Sequence, residues 1–171
     1  ETAYKMAPED SAVVFEMANF YHAMNDFQKA KELYEKAFKL APEVMDIAVF
    51  RAINYLRLNE IDTALELFLD AMKKYPSQHI ILFNIGLIYY QKGNFDAAKE
   101  FLSDAYSLYQ DPETMNALAM TFYELKEYEN SKNLAHKLIE QFPDNINLLL
   151  LLAKSYIELG DAQNSVRYLE K

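Results

Sequence analysis

A small side chain returns about every 34 residues along this chain, and this period restricts the possible folds more than any other feature. The spacings between successive members are 34, 34, 33 and 34 residues. The series consists of Ala30, Ala64, Ala98, Ser131 and Ser165. A fixed period of this length is typical of stacked repeats, each of which is one supersecondary unit. The sequence therefore predicts a repeat array.

Each period contains two amphipathic segments separated by a short turn. A second small residue lies 12 positions before each member of the series, and an aromatic residue follows it three positions later. Those small residues are Ala18, Ala52, Gly86, Ala119 and Ala153, and the aromatics are Tyr21, Tyr55, Tyr89, Phe122 and Tyr156. Spacings of three, four and seven mark one face of a helix, so we predict two helices per repeat and an all-α fold.

The turns between the paired helices begin with a residue that can adopt the left-handed conformation ending a helix. Asn25, Asn59, Gly93 and Gly160 meet this requirement, because glycine lacks a Cβ and asparagine tolerates positive φ. Lys126 stands at the equivalent place in the fourth turn, which we therefore expect to be strained or slightly different. Proline is expected to end the second helices at Pro42, Pro76 and Pro143, with Pro112 displaced in the third repeat.

Composition narrows the classes of partner. The net charge of −9 disfavours a nucleic-acid partner, since a phosphate backbone would be repelled. The longest nearly apolar run, residues 80–90, is far shorter than the ~20 residues that span a bilayer, so no direct membrane insertion is expected. The absence of cysteine leaves the compartment unknown, with a soluble, cytoplasmic protein slightly favoured.

These features together resemble the tetratricopeptide repeat, a helix–turn–helix unit of 34 residues. The resemblance implies a right-handed superhelical solenoid in one domain, with repeats at 11–44, 45–78, 79–111, 112–145 and a truncated fifth at 146–171. Residues 1–10 fit the end of a preceding repeat, so both ends cut through repeats and we expect a fragment of a longer protein. Two departures are the third repeat, which is one residue short, and the missing bulky aromatic near the start of each first helix.

The first helices of such a stack commonly line a concave surface that binds partners. We predict a partner-binding groove lined by Phe15, Asn19, His22, Ile53, Leu56, Phe83, Asn84, Leu87, Tyr90, Asn116, Met120, Tyr123, Leu150 and Lys154, with Val49 and Ile157 on the same face. Its aromatic, Met and aliphatic content suits an amphipathic helix or an extended apolar peptide. The alternative is that single members pack against the neighbouring helix.

Some members of the family clamp acidic C-terminal tails with cations, but Phe15 and Ile80 stand where positive charges would be needed. No pattern for catalysis, cofactor binding or metal ligation is visible. The three histidines fall in separate repeats, and His22 with Asp26 is interpreted as a surface pair. The chain is therefore expected to be non-enzymatic.

Two further features need an explanation. Arg51 occupies a position that is apolar in the other repeats, so its charge must reach solvent, pair with an acid such as Glu66, or anchor a partner carboxylate. Five consecutive leucines, 148–152, wrap more than a helical turn. They pack against the fifth repeat's own second helix or a following repeat, or they form a self-association surface.

Three functions follow as hypotheses. The first is a scaffold or adaptor that binds a peptide or amphipathic helix of a partner protein in the groove. The second is a self-assembling structural module that associates through uncapped ends. The third is a regulatory array attached to an enzyme in the full-length protein. The sequence does not identify the partner, the organism or the flanking domains.

Overall fold

The computed structural model describes residue 7 and residues 9–170, and in these residues the chain forms ten α-helices and no strand. The helices are α1 (Ser11–Ala23), α2 (Phe27–Leu40), α3 (Met45–Arg57), α4 (Ile61–Lys74), α5 (His79–Gln91), α6 (Phe95–Leu108), α7 (Pro112–Glu124), α8 (Tyr128–Gln141), α9 (Ile146–Glu158) and α10 (Ala162–Leu169). The all-α helical-repeat solenoid predicted from the period is confirmed. The expected end of a preceding repeat in residues 1–10 lies almost wholly outside the described residues.

The five turns inside the repeats share one geometry. Each has a residue with positive φ, between 59° at Asn25 and 78° at Gly160. In the third turn, Gly93 N donates to Tyr90 O at 2.9 Å and Asn94 N donates to Tyr89 O at 2.9 Å. These bonds satisfy carbonyl groups that the helix end leaves without intrahelical partners. The chain therefore reverses direction within two residues.

Lys126 adopts the same conformation as the glycines and asparagines, with φ of 62°. Its turn keeps the same bonds, from Lys126 N to Tyr123 O at 2.9 Å and from Glu127 N to Phe122 O at 2.8 Å. Lys126 therefore adopts a strained backbone conformation, and its turn keeps the hydrogen bonds of the other turns.

The expectation that Pro112 ends a helix is wrong. Helix α6 ends at Leu108, and Pro112 is the first residue of α7, where its missing N–H costs no intrahelical bond. Asp111 caps this helix by accepting from the backbone N–H groups of Glu113 at 3.0 Å and Thr114 at 2.9 Å. The third repeat is one residue short because the link between α6 and α7 has three residues, whereas the links before α3, α5 and α9 have four.

The helices form two compact units, Glu1–Ser77 and Gln78–Lys171. In unit 1, the small residues Ala18 and Ala30 are fully buried beside Tyr34, and Val14 packs with Ala37 and Ile47. In unit 2, Ala98, Ala119, Ala135 and Ala153 are buried among leucines and Met115. The recurring small residues are therefore the places where helices pack closely.

The leucine run belongs mainly to the core of unit 2. Leu148, Leu149, Leu151 and Leu152 are buried, whereas Leu150 is 41% exposed. Of the alternatives for this run, packing within the array fits four of its five members, which share one cluster with Leu138 and with Tyr168 of the repeat's own second helix. Leu150 is the one leucine of this run with a substantially exposed side chain.

Candidate functional site

The predicted groove residues of unit 1 are partly used by its own packing. The Phe15 ring is half-buried and lies 6.0 Å from the Tyr34 ring and 5.7 Å from the Phe50 ring, centroid to centroid. Asn19 Oδ1 accepts a hydrogen bond from the Tyr34 hydroxyl at 2.7 Å. Ile53 and Leu56 are half-buried. For Phe15 and Asn19, packing against neighbouring helices therefore describes the structure better than a free groove surface.

His22 also makes a structural contact. Its Nδ1 lies 2.9 Å from Asn54 Oδ1, and Asn54 Nδ2 donates to the Phe27 carbonyl at 2.9 Å. Asn54 is fully buried, so both halves of its amide are satisfied inside the protein. The interpretation of His22 as a surface partner of Asp26 is wrong, because the imidazole turns towards the next repeat.

In unit 2, first helices from three successive repeats surround a concavity of about 390 Å³, which we call the unit 2 cavity. It is lined by Tyr90, Asn116, Met120, Tyr123, Glu124, Asn147, Leu150, Leu151 and Lys154. Six of these nine residues are in the predicted groove set. The structure thus brings together Tyr90 of the third repeat and the predicted residues of the fourth and fifth repeats.

Helical geometry explains this convergence. Counted from the first residue of each helix, the lining residues recur at the fifth, ninth and twelfth positions, as in Asn116, Met120 and Tyr123 of α7. Steps of four and three residues stay on one helix face. Met120 is 37% exposed and Leu150 is 41% exposed, so this face offers apolar surface to a ligand.

The remaining predicted residues of α5 do not line the unit 2 cavity. Phe83 is half-buried, with its ring stacked 5.9 Å from the His79 ring at an interplanar angle of 7°. Asn84 Nδ2 donates to the Ile80 carbonyl of its own helix at 2.7 Å. Leu87 is half-buried against the core. These three side chains make contacts within their own helix or with the core.

Polar groups of the cavity are largely unused by the protein. Within the described residues, the hydroxyls of Tyr90 and Tyr123 have no hydrogen-bond partner, and Asn116 Nδ2 only approaches Met120 Sδ at 3.8 Å. Burial, followed by the Glu124 carboxylate, raises the pKa of Tyr90. Burial, followed by Glu158 and Glu124, raises the pKa of Tyr123. Both phenols are therefore neutral groups near negative charge.

The sequence did not predict that Glu124, Asn147 and Leu151 line the cavity. It also predicted that Val49 faces the groove, but Val49 is buried. Glu124 is the last residue of α7, one position after Tyr123, so a wider helical face would have included it. Val49, expected in the groove, is only 2% exposed. Its short side chain packs in the core, whereas the larger Phe15 and Phe83 at the same position reach the surface.

Arg51 contacts a different acid from the expected one. Its Nε lies 3.0 Å from Glu35 Oε1, and its guanidinium lies 4.1 Å from the centroid of the Phe38 ring. The same Glu35 oxygen accepts from the Tyr55 hydroxyl at 3.0 Å. The ion pair is close, although the Nε–H direction does not meet hydrogen-bond geometry. The suggestion of Glu66 is wrong, because Arg51 points to the preceding helix α2.

The other two histidines also bond across a repeat boundary. His79 Nε2 lies 2.8 Å from Asp111 Oδ2 and 2.8 Å from Oγ1 of Thr114 in the next repeat. His136 Nε2 lies 2.7 Å from the hydroxyl of Tyr156 in the next repeat. No periodic signal marks these pairs, since each occurs once in the sequence.

Metal-binding clusters and membrane-spanning helices are two further features that would bear on function. Across residue 7 and residues 9–170, no group of three or more His, Cys, Asp or Glu side chains is arranged to hold a metal ion. No helix in this part of the chain is both long and apolar enough to cross a bilayer. What the described surface does offer is the apolar and aromatic unit 2 cavity.

Comparisons with known proteins give a consistent result. Models of the tetratricopeptide repeat match residues 11–44, 51–113, 117–145 and 146–171, which together cover most of the chain. No curated protein matches the sequence significantly.

Solved structures with the same fold have low sequence identity. A MamA chain from residue 41 to the end, from Desulfovibrio magneticus RS-1, has a TM-score of 0.86 at 11% identity, over 94% of this chain and 91% of that chain. YrrB, described as a TPR protein with an unusual peptide-binding site, has a TM-score of 0.84 at 16% identity, over 99% of this chain and 88% of the YrrB chain. PilW, described as a type IV pilus biogenesis factor, has a TM-score of 0.82 at 23% identity, over 98% of this chain and 78% of the PilW chain. With five helix–turn–helix units in register and repeat models matching along its length, the chain belongs to the tetratricopeptide repeat family.

Proposed function

We propose that the protein is a non-enzymatic scaffold that binds a peptide or amphipathic helix of a partner protein in the unit 2 cavity. Proteins built from this repeat generally serve as protein-interaction scaffolds, and the described chemistry of the cavity suits recognition rather than reaction. The observation that carries the proposal is the convergence of Met120 and Leu150, both substantially exposed, with two tyrosines and two asparagines.

This mixture has the character of a binding surface. Aromatic residues and methionine are enriched where interfaces are desolvated, and amide groups can bond to a peptide backbone or to side chains. YrrB, which has the same fold, is described as peptide-binding, and this supports the same class of ligand here. An occupant would cover the apolar side chains while the amides fix its position.

A selection experiment tests the proposal without a known partner. Twelve-residue peptides would be selected from a random displayed library on the wild-type protein, and their affinities measured by fluorescence anisotropy. Replacing Met120 and Leu150 with Gln removes apolar contact area, and each replacement should weaken the selected peptides by about tenfold. Leu40→Gln is the matched control, because Leu40 is 39% exposed and lies on α2, outside the cavity.

The cavity variants are expected to bind the selected peptides more weakly than the wild type, and the Leu40→Gln control is expected to bind them as tightly as the wild type. If the selected peptides bind the Met120→Gln/Leu150→Gln variant as tightly as the wild type, the unit 2 cavity is not the binding site. Circular dichroism would check that both variants keep their helical content.

Self-assembly is a second candidate function, and one observation favours it. The last described helices expose Ile157 at 56%, Val166 at 49% and Leu169 at 55%. Light scattering across a concentration series tests this idea. A monomer at all concentrations would exclude it, whereas a dimer that Leu169→Glu dissociates would support it.

A further inference from the structure

Two carboxylates lie at the helix ends beside the unit 2 cavity, where a negative charge is unfavourable. Glu124 is the last residue of α7, and Glu158 is the last residue of α9. The carbonyl end of a helix carries a partial negative charge and favours cations. Neither helix has a basic residue in its last turn. Glu124 lines the cavity, and both carboxylates lie near enough to the lining residue Tyr123 to raise the pKa of its phenol further after burial.

The described residues supply no cation that pairs with these acids. Tyr90 comes from α5, Tyr123 with Glu124 from α7, and Lys154 from α9. The neighbouring α8 presents Tyr128, with its ring centroid 5.4 Å from that of Tyr123. Burial, followed by the adjacent Glu158 carboxylate, raises the pKa of Tyr128, so Glu158 already has a polar neighbour and Glu124 is the acid that faces the cavity. Lys154 borders the same cavity one turn before the end of α9, but no ion pair joins it to either carboxylate.

The two tyrosines complete a site for a cation. Their hydroxyl oxygens are free to accept hydrogen bonds, and their ring faces carry the negative part of the aromatic quadrupole. A guanidinium can stack on a ring while its N–H groups reach a carboxylate, which a single ammonium does less well. An apolar peptide without charge would leave these acceptors and Glu124 unused.

We propose that the unit 2 cavity recognises a basic side chain of the bound peptide, with arginine preferred over lysine, placed beside Glu124 and against Tyr90 or Tyr123. This proposal rests on the peptide-binding function proposed above and adds the chemistry of the anchor residue. Apolar neighbours of that residue in the peptide then pack on Met120 and Leu150. The net charge of −9 of the whole chain draws such a ligand towards the protein.

The test uses peptides selected from the random library on the wild-type protein, and it has two stages. In the first, the sequences of peptides that lose binding to Met120→Gln/Leu150→Gln are compared with the unselected library, and enrichment of arginine is expected. In the second, the arginine of one selected peptide is replaced by citrulline, which has the same shape without the charge. Citrulline should weaken binding to the wild type by about tenfold, as for loss of a partly desolvated charge pair.

Glu124→Gln should produce the same loss with the arginine peptide and no further loss with the citrulline peptide. Glu140→Gln is the matched control, since Glu140 is an exposed acid on α8 outside the cavity lining. The arginine peptide should bind this control as it binds the wild type.

The possible results separate the two proposals. Cavity-dependent peptides that contain no enriched basic residue, or that tolerate citrulline unchanged, would overturn the basic anchor and leave the peptide-binding function intact. A selection in which no peptide depends on the cavity residues would overturn both. Lysine enriched without arginine would retain the cationic anchor and reject the stated preference.

Discussion

The strained turn at Lys126 allows a direct test of how the repeat turns are stabilised. Its φ of 62° is a left-handed conformation, which costs a residue with a Cβ about 1–2 kcal/mol. Lys126→Gly removes this cost but makes the unfolded chain more flexible, which offsets about 0.4–1 kcal/mol. The free energy of unfolding should therefore rise by about 0.5–1 kcal/mol.

For a chain of this size, that change corresponds to a Tm increase of about 1–4 °C. Differential scanning calorimetry and urea unfolding would both measure it. Asn59→Gly is the first control: Asn59 has φ of 60°, but asparagine already tolerates this region, so a smaller change is expected. Lys137→Gly is the second control, because Lys137 lies inside α8 and glycine there should destabilise by about 1 kcal/mol.

The reasoning would be refuted if Lys126→Gly lowered the Tm as Lys137→Gly does. That outcome would mean that the lysine side chain contributes more to folding than its backbone conformation costs. Lys126→Asn offers an independent check and should fall between the wild type and the glycine variant.

Three further changes probe the packing described above. Gly86→Ala should lower the free energy of unfolding by about 1 kcal/mol despite better helix propensity, because the new Cβ would lie 2.6 Å from Leu102 Cγ; urea unfolding measures this. Asn54→Leu should cost about 2–3 kcal/mol in the same assay, because it removes from a fully buried position the amide that bonds to His22 and to the Phe27 carbonyl. Asp111→Ala should remove an N-cap worth about 1 kcal/mol, measured at pH 7 and at acidic pH.

The pH dependence of the Asp111 contribution has a definite sign. Burial alone would raise its pKa, but the Thr114 hydrogen bonds and the nearby His79 outweigh burial and hold the pKa below 3.8. A depressed carboxyl pKa stabilises the fold fully above the unfolded value and loses that contribution as the pH falls through the folded one. The difference in stability between wild type and Asp111→Ala should therefore shrink in acid. A constant difference down to pH 2 would contradict this assignment.

Periodicity was sufficient to predict the helices and their turns. The small residues Ala18 and Ala98 and the glycine Gly93 have roles that follow from local geometry alone, and a repeat supplies several independent examples of each. Six of the nine residues that line the unit 2 cavity were predictable for the same reason, since residues such as Met120 and Leu150 share a helix face with equivalents in other repeats.

The sequence could not predict which residue on a neighbouring helix a given side chain contacts. Arg51 could reach Glu66 on the following helix or Glu35 on the preceding one, and the sequence period does not determine which second helix a side chain meets. Val49 shares its position with Phe15, but its burial depends on side-chain length and on the packing of neighbouring helices. Such contacts depend on the tertiary arrangement, which the repeat pattern does not fix residue by residue.

The three histidine contacts have a consequence for folding fidelity. Repeats that resemble one another can stack on the wrong neighbour, because their apolar faces are nearly interchangeable. His22 with Asn54, His79 with Thr114 and His136 with Tyr156 each join one repeat to the next through a polar pair that differs from the others. A repeat paired out of order would bury these groups without their partners, at a cost that apolar contacts alone do not impose. We therefore expect these three histidine contacts to favour the native order of repeats over a mispaired stack.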